Sequence, residues 1–111
     1  MIKPQTISSR RDSNKMPLFV LHAIDRPNAL PLRLEHYAAH RAFVETETEH
    51  GINIVLSGPL QSDDGETMTG SLFIMEAADR ATVEAFAKND PFAQAGVWEQ
   101  VTITRFHRRK G

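Results

Sequence analysis

Residues 18–24 read LFVLHAI, bounded by Pro17 on one side and Asp25-Arg26-Pro27-Asn28 on the other. In an extended chain successive side chains point to opposite sides. Leu18, Val20, His22 and Ile24 therefore face one way, and Phe19, Leu21 and Ala23 the other. Both faces are mostly apolar, the pattern of a central strand covered on both sides. The Asp-Arg-Pro-Asn run is a turn signal that stops it.

Working outward from this strand, the pattern from about Leu30 to His50 is helical, with no glycine or proline after Pro31. Pro31 suits a first helical turn, and Gly51 is expected to close the helix just past its end. INIVLSG (52–58) reads as a second strand ending at Gly58-Pro59, and Gln61–Thr69 as an acidic loop between strands. Gly70–Ala77 reads as a third strand. Asp79 is a candidate N-cap for a second helix over about Arg80–Asn89, with Val83, Phe86 and Ala87 on one face. Asn89-Asp90-Pro91 ends that helix, because the residue before a proline disfavours helical geometry. PFAQAGV is a short turn or helical piece, and Val97–Phe106 a last strand. The order β-α-β-β-α-β is that of an α+β ferredoxin-like sandwich, with both helices on one sheet face. The other face would be bare yet apolar, so a homodimer packed through the sheet face is expected.

The chain has 111 residues, 41% hydrophobic and 24% charged, which fits one folded domain and excludes a disordered one. Cysteine is absent, which removes disulfides, thiol catalysis and cysteine-ligated metals and fits a reducing cytoplasm. No apolar run reaches the roughly 18–20 residues of a membrane span, so no membrane partner is expected. The opening MIKPQTISSRRDSNK has no apolar stretch and does not read as a secretory signal. It is expected to be a polar basic arm (1–15), followed by the folded domain (16–106) and a basic C-terminal tail (107–111). Both ends are basic, but neither interleaves aromatics with its charges. The body between them is acidic and would repel nucleic acid, so no nucleic-acid partner is expected.

Five histidines carry most of the available chemistry: His22, His36, His40, His50 and His107. His36 and His40 are four apart and share a helix face, a spacing that can chelate zinc. No third ligand lies within easy sequence reach, and Arg33 and Arg41 flank the pair, so no metal site is expected. His22 is either a satisfied core histidine or the wall of a pocket. Asp25 ends the first strand, where polar groups collect around sites. Asp90 is either a turn residue accepting from backbone N–H groups two residues on, or the partner that orients a histidine. GxGxxG, GxxxxGK[ST] and GxSxG are all missing, which leaves nucleotide-binding and serine-hydrolase readings without support. The Ser57–Leu60 turn and the Met68–Phe73 entry, with Ser71, offer two weak glycine–serine neighbourhoods for an anion.

Taken together, Asp25, the Arg33-x-x-His36 helix motif, Gly51, Ser57-Gly58-Pro59-Leu60, Gly70-Ser71, Asn89-Asp90-Pro91-Phe92, Ala95-Gly96-Val97 and Arg105-Phe106 form a recognisable pattern. From about Met16 to Phe106 the chain resembles the YCII-related (YciI-like) family, whose fold is a dimeric α+β barrel of ferredoxin-like type. The resemblance implies an active site made of a histidine and an aspartate, falling here on His36 and Asp90. It places an arginine at Arg33 and an acidic residue at Asp25. Most members have no assigned reaction; one branch is linked to halide elimination from a chlorinated aromatic, which implies lyase-like chemistry. The chain departs from the pattern in Glu35, in the second histidine His40 and in the extra arm.

The expected function is thus a small-molecule enzyme in which His36 transfers a proton, Asp90 fixes its tautomer, and Arg33, with Asp25, His22 and Ser71 nearby, binds a small anionic organic molecule. Proton abstraction or elimination needs no cofactor. The alternative is a non-catalytic dimeric module that binds a metabolite or a partner protein through the same cleft.

Overall fold

A computed structural model describes residues 16–111. The expected arm, 1–15, lies outside the described residues. The elements are β1 (Leu18–Asp25), α1 (Leu30–Val44), a 3₁₀ turn (Glu47–His50), β2 (Asn53–Gln61), β3 (Met68–Glu76), α2 (Arg80–Asn89), α3 (Pro91–Gln94) and β4 (Trp98–Phe106). The four strands form one antiparallel sheet in the order β2-β3-β1-β4, with β1 central as its two apolar faces require. This is the expected ferredoxin-like α+β arrangement.

Alternation in β1 sets the layers. Phe19, Leu21 and Ala23 are buried under the helices, with Phe73 and Met75 of β3 beside them and Val83, Phe86 and Phe92 packed over them. The residues between them face the other way. On that second face the register aligns Val20 with Ile74 and Ile74 with Leu56, and Leu18 with Phe106. No element of the described residues covers this face, and Ile24, Leu56 and Phe106 expose 41%, 51% and 38% of their surface. His22 lies on the same uncovered face, between Leu72 and Thr102, and is exposed. It is neither a core histidine nor a cleft wall.

Several boundaries differ from the sequence reading: the third strand starts at Met68, inside the expected Gln61–Thr69 loop, and two larger differences have local causes. The first helix does not run to His50 but stops at Val44. Thr46 turns back on it, its hydroxyl and its N–H both donating to the Phe43 carbonyl, at 2.6 and 2.9 Å. A threonine side chain competing for the backbone after a β-branched Val44 is a local reason for the break. Gly51 does sit at a C-terminal cap with φ +73°, but it caps the 3₁₀ turn. The second strand does not end at Gly58-Pro59 but passes through to Gln61. Proline is tolerated there because, among the described residues, β2 is an edge strand paired on one side only. Gly70 is required for a different reason: a Cβ there would collide with the carbonyl oxygen of Ala23 on the neighbouring strand.

The second helix matches its expected bounds. Asp79 caps it, accepting from the Thr82 N–H at 2.9 Å. The C-terminal tail past Phe106 is exposed and irregular.

Candidate active site

Pro91 holds Asp90 in extended geometry (φ −66°, ψ 132°), and Asp90 then caps α3 by accepting from the Phe92 N–H at 2.8 Å. The turn role expected of this aspartate is therefore real, and it leaves the carboxylate free for a second task. Asp90 is 1% exposed. Nδ1 of His40 lies 2.9 and 3.0 Å from its two oxygens.

The histidine that meets Asp90 is thus His40 and not His36. His36 points Nε2 toward Glu35 at 3.8 Å, remains one-third exposed and takes no part in the cleft. Helix geometry gives the reason. At about 100° per residue, His36 sits about 60° around the helix from Arg33, whereas His40, seven residues on, falls within about 20° of it. Arg33 is the buried residue of α1, and of the two histidines only His40 shares its stripe. The seven-residue Arg33-to-His40 spacing was the available signal.

The His40 ring is held from its flat side as well. Phe92 stacks on it at 4.0 Å between centroids and 7° between planes, and Phe73 approaches edge-on at 6.1 Å. A carboxylate only accepts hydrogen bonds, so the Asp90 contact assigns the proton to Nδ1. Nε2 is then the ring nitrogen left for a ligand.

Beside this pair lies a second buried group. Arg33 donates through Nη1 to both oxygens of Asp25 at 3.0 and 2.9 Å, and through Nη2 to the Ser71 hydroxyl at 2.8 Å. Its guanidinium also lies over the Phe92 ring, 4.7 Å from the centroid. Burial pushes the Asp25 carboxyl above its ordinary range, with the charge and hydrogen bonds of Arg33 pulling the other way. Arg33, Asp25 and Ser71 were expected to contact a ligand directly. The structure brings all three together, but their polar groups are largely engaged with one another. Arg33 and Ser71 still form part of a cleft wall.

That cleft, of about 480 Å³, opens between α1 and the β2–β3 side of the sheet. Its size suits a small organic ligand. Tyr37, Val44, Pro59, Met68 and Phe73 supply apolar surface, while His40, Arg41 and Ser57 add polar groups. Phe92 and Tyr37 were not assigned to a site from sequence; the Ser57–Leu60 segment was a weak candidate for an anion, and the fold places Ser57, Gly58 and Pro59 of β2 in the cleft wall opposite α1.

A four-stranded antiparallel sheet with helices on one face, and a buried histidine–aspartate pair beside a cleft, defines a small α+β protein of the ferredoxin-like class. The chain belongs to the YCII-related family, whose domain model matches residues 17–107. Protein YciI from Escherichia coli O6:H1 is 30% identical over 96 residues, covering 82% of this chain and 97% of that protein. The xenovulene A biosynthesis cluster protein asL2 from Sarocladium schorii is 32% identical over 74 residues, covering 60% of this chain and 64% of that protein. Among solved structures, 5-chloro-2-hydroxyhydroquinone dehydrochlorinase (TftG) from Burkholderia phenoliruptrix AC1100, in complex with 2,5-dihydroxybenzoquinone, is 35% identical with a TM-score of 0.73. The match covers 83% of this chain and 95% of that one. An antibiotic biosynthesis monooxygenase at 17% identity and TM-score 0.51 shares the fold alone. Among the described residues no helix is long and apolar enough to cross a membrane.

Proposed function

We propose that this protein is a small-molecule enzyme of lyase type, in which His40, oriented by Asp90, transfers the proton in an elimination. The observation that carries the reading is the buried two-oxygen contact of Asp90 on His40 Nδ1 at the wall of a cleft. A carboxylate so placed fixes the tautomer and stabilises the imidazolium that forms when Nε2 accepts a proton. In the proposed step Nε2 takes a proton from a hydroxyl or carbon acid of the ligand. The electron pair moves through the ligand and the leaving group departs with the pair of its own bond, giving net loss of HX. This balances without an oxidant, a reductant or a cofactor.

The likeness to a dehydrochlorinase at 35% identity supports this class of chemistry. Arg33 and Asp25 act in it as positioning residues that keep the Phe92 ring and the cleft wall in place. The uncovered apolar face of the sheet supports a homodimer formed face to face. The test is chloride release from 5-chloro-2-hydroxyhydroquinone and related chlorinated hydroxyhydroquinones, by wild type, His40→Gln, Asp90→Asn and His36→Gln. Turnover in wild type and His36→Gln, with a loss of about 10²–10⁴-fold in the other two, is expected. Equal turnover in all four would overturn the assignment.

A further inference from the structure

The charges around the cleft are distributed unevenly in depth. Among the described residues, three cationic or potentially cationic side chains line it (Arg33, His40 and Arg41) and no acidic one does. The two acids of the site, Asp25 and Asp90, stand behind Arg33 and His40 and are each less than a tenth exposed. Any ligand therefore meets donors first. The two arginines differ in state. Arg33 is buried and bound to Asp25 and Ser71. Arg41 is 61% exposed; among the described residues its nearest acid is Glu45 at 3.8 Å, a separation beyond a good hydrogen bond. Its Nη1 approaches the Tyr37 hydroxyl at 3.4 Å and its guanidinium lies 5.9 Å from the centre of the Tyr37 ring. Arg41 is thus held along the cleft wall by an aromatic residue, with only a long, exposed ion pair to Glu45 among the described residues.

We infer that Arg41, steadied by Tyr37, is the specificity-determining anion contact of the cleft, and that the ligand is a planar ring bearing an ionised hydroxyl or carboxylate directed at Arg41. This deepens the proton-transfer reading and rests on it for the orientation of the ring, with the reacting end at His40. Tyr37, Pro59 and Phe73 supply apolar surface for the ring. A guanidinium suits the task because its planar fork matches two oxygens at once and keeps its charge at every accessible pH.

The experiment measures binding of 2,5-dihydroxybenzoquinone, whose acidic hydroxyls ionise, and of 2,5-dimethoxybenzoquinone, which has none. Calorimetric titration compares wild type with Arg41→Gln, Arg41→Lys, His40→Gln and, as a remote cation, Arg80→Gln. Arg41→Gln should weaken the dihydroxy ring by about tenfold or more. It should leave the dimethoxy ring unchanged, with Arg41→Lys in between and Arg80→Gln like wild type. If Arg41→Gln binds the dihydroxy ring as wild type does while His40→Gln does not, the anion assignment is overturned and the His40 site stands. If Arg41→Gln weakens binding and His40→Gln has no effect, the anion contact holds and the proton-transfer reading loses its support. If wild type binds neither ring, both are overturned.

Discussion

Replacing Arg33 with methionine isolates the buried ion pair. The methionine keeps much of the stem's packing but removes three hydrogen bonds and the charge facing Asp25. The two side chains are 4% and 5% exposed, so water cannot take the arginine's place. Breaking one side of such a pair costs about 3–5 kcal/mol, against a typical total stability of about 5–15 kcal/mol. The loss should depend on pH in a fixed direction. Burial already raises the Asp25 carboxyl above 3.8, and Arg33 opposes the rise. Without Arg33 the folded-state carboxyl rises further. A carboxyl with a higher pKa folded than unfolded binds its proton more tightly in the fold, so its stabilisation is present at low pH and lost as pH rises through the folded value. The deficit of Arg33→Met should therefore be largest at neutral pH and shrink as the pH falls through the raised folded value toward 3.8. Urea unfolding can be followed by the chain's single tryptophan, Trp98, which is buried with its ring 6.1 Å from that of Phe92. Protein concentration is held fixed, since the proposed association would contribute to apparent stability. The double variant Asp25→Leu with Arg33→Met should regain most of the loss. A deficit under about 1 kcal/mol, or one that does not change with pH, would refute this account of the pair.

Further outcomes follow from other parts of the molecule. Leu56→Glu places a charge on the uncovered sheet face; wild type should sediment at about twice the chain mass and this variant at the chain mass, and a monomeric wild type would remove the dimer. Gly70→Ala should cost about 1–3 kcal/mol or more in the same urea assay, because the new methyl meets backbone rather than a side chain that can move. Hydrogen bonds from Thr82 lower the Asp79 pKa. Its capping contribution is therefore present above pH 3.8 and lost as pH falls through the lower folded value. Asp79→Ala should lower the melting temperature at neutral pH, and the difference from wild type should narrow in strong acid. Unequal melting in acid and equal melting at neutrality would contradict that cap.

Much of the fold could be read from local signals. The alternation of Leu18–Ile24, the Asp79 cap and the Asp90-Pro91 break each act within a few residues, and each marks a real element. The Thr46 break depends on a hydroxyl choosing a backbone partner, and the continuation through Pro59 depends on β2 being an edge. Neither is visible as periodicity. In the site, Asp90, Arg33, Asp25 and Ser71 were legible as residues but not as contacts. The choice between His36 and His40 turned on rotation about the α1 axis, which is set by the packing of Ala29, Arg33 and Phe43 rather than by any motif. The cleft itself joins residues far apart in sequence, and no local pattern carries it.

Pro59, in the outermost of the described strands, bears on which contacts between copies the sheet permits. An open sheet has two rims of unpaired backbone groups on which further chains can add without limit. On the β2 rim one donor is missing at Pro59, and the register slips between Ile54 and Leu56 and again between Leu60 and Gln61. Such a rim is a poor template for another strand. On the β4 rim, exposed Glu99 and Arg105 add charge that an incoming strand would have to accommodate. Strand addition, which has no natural end point, is thereby hindered, while the apolar face is left uncovered by the described residues. Contact through a face closes once two copies have met. An irregular edge beside an uncovered apolar face thus favours, for the proposed dimer, a contact that closes over one that grows.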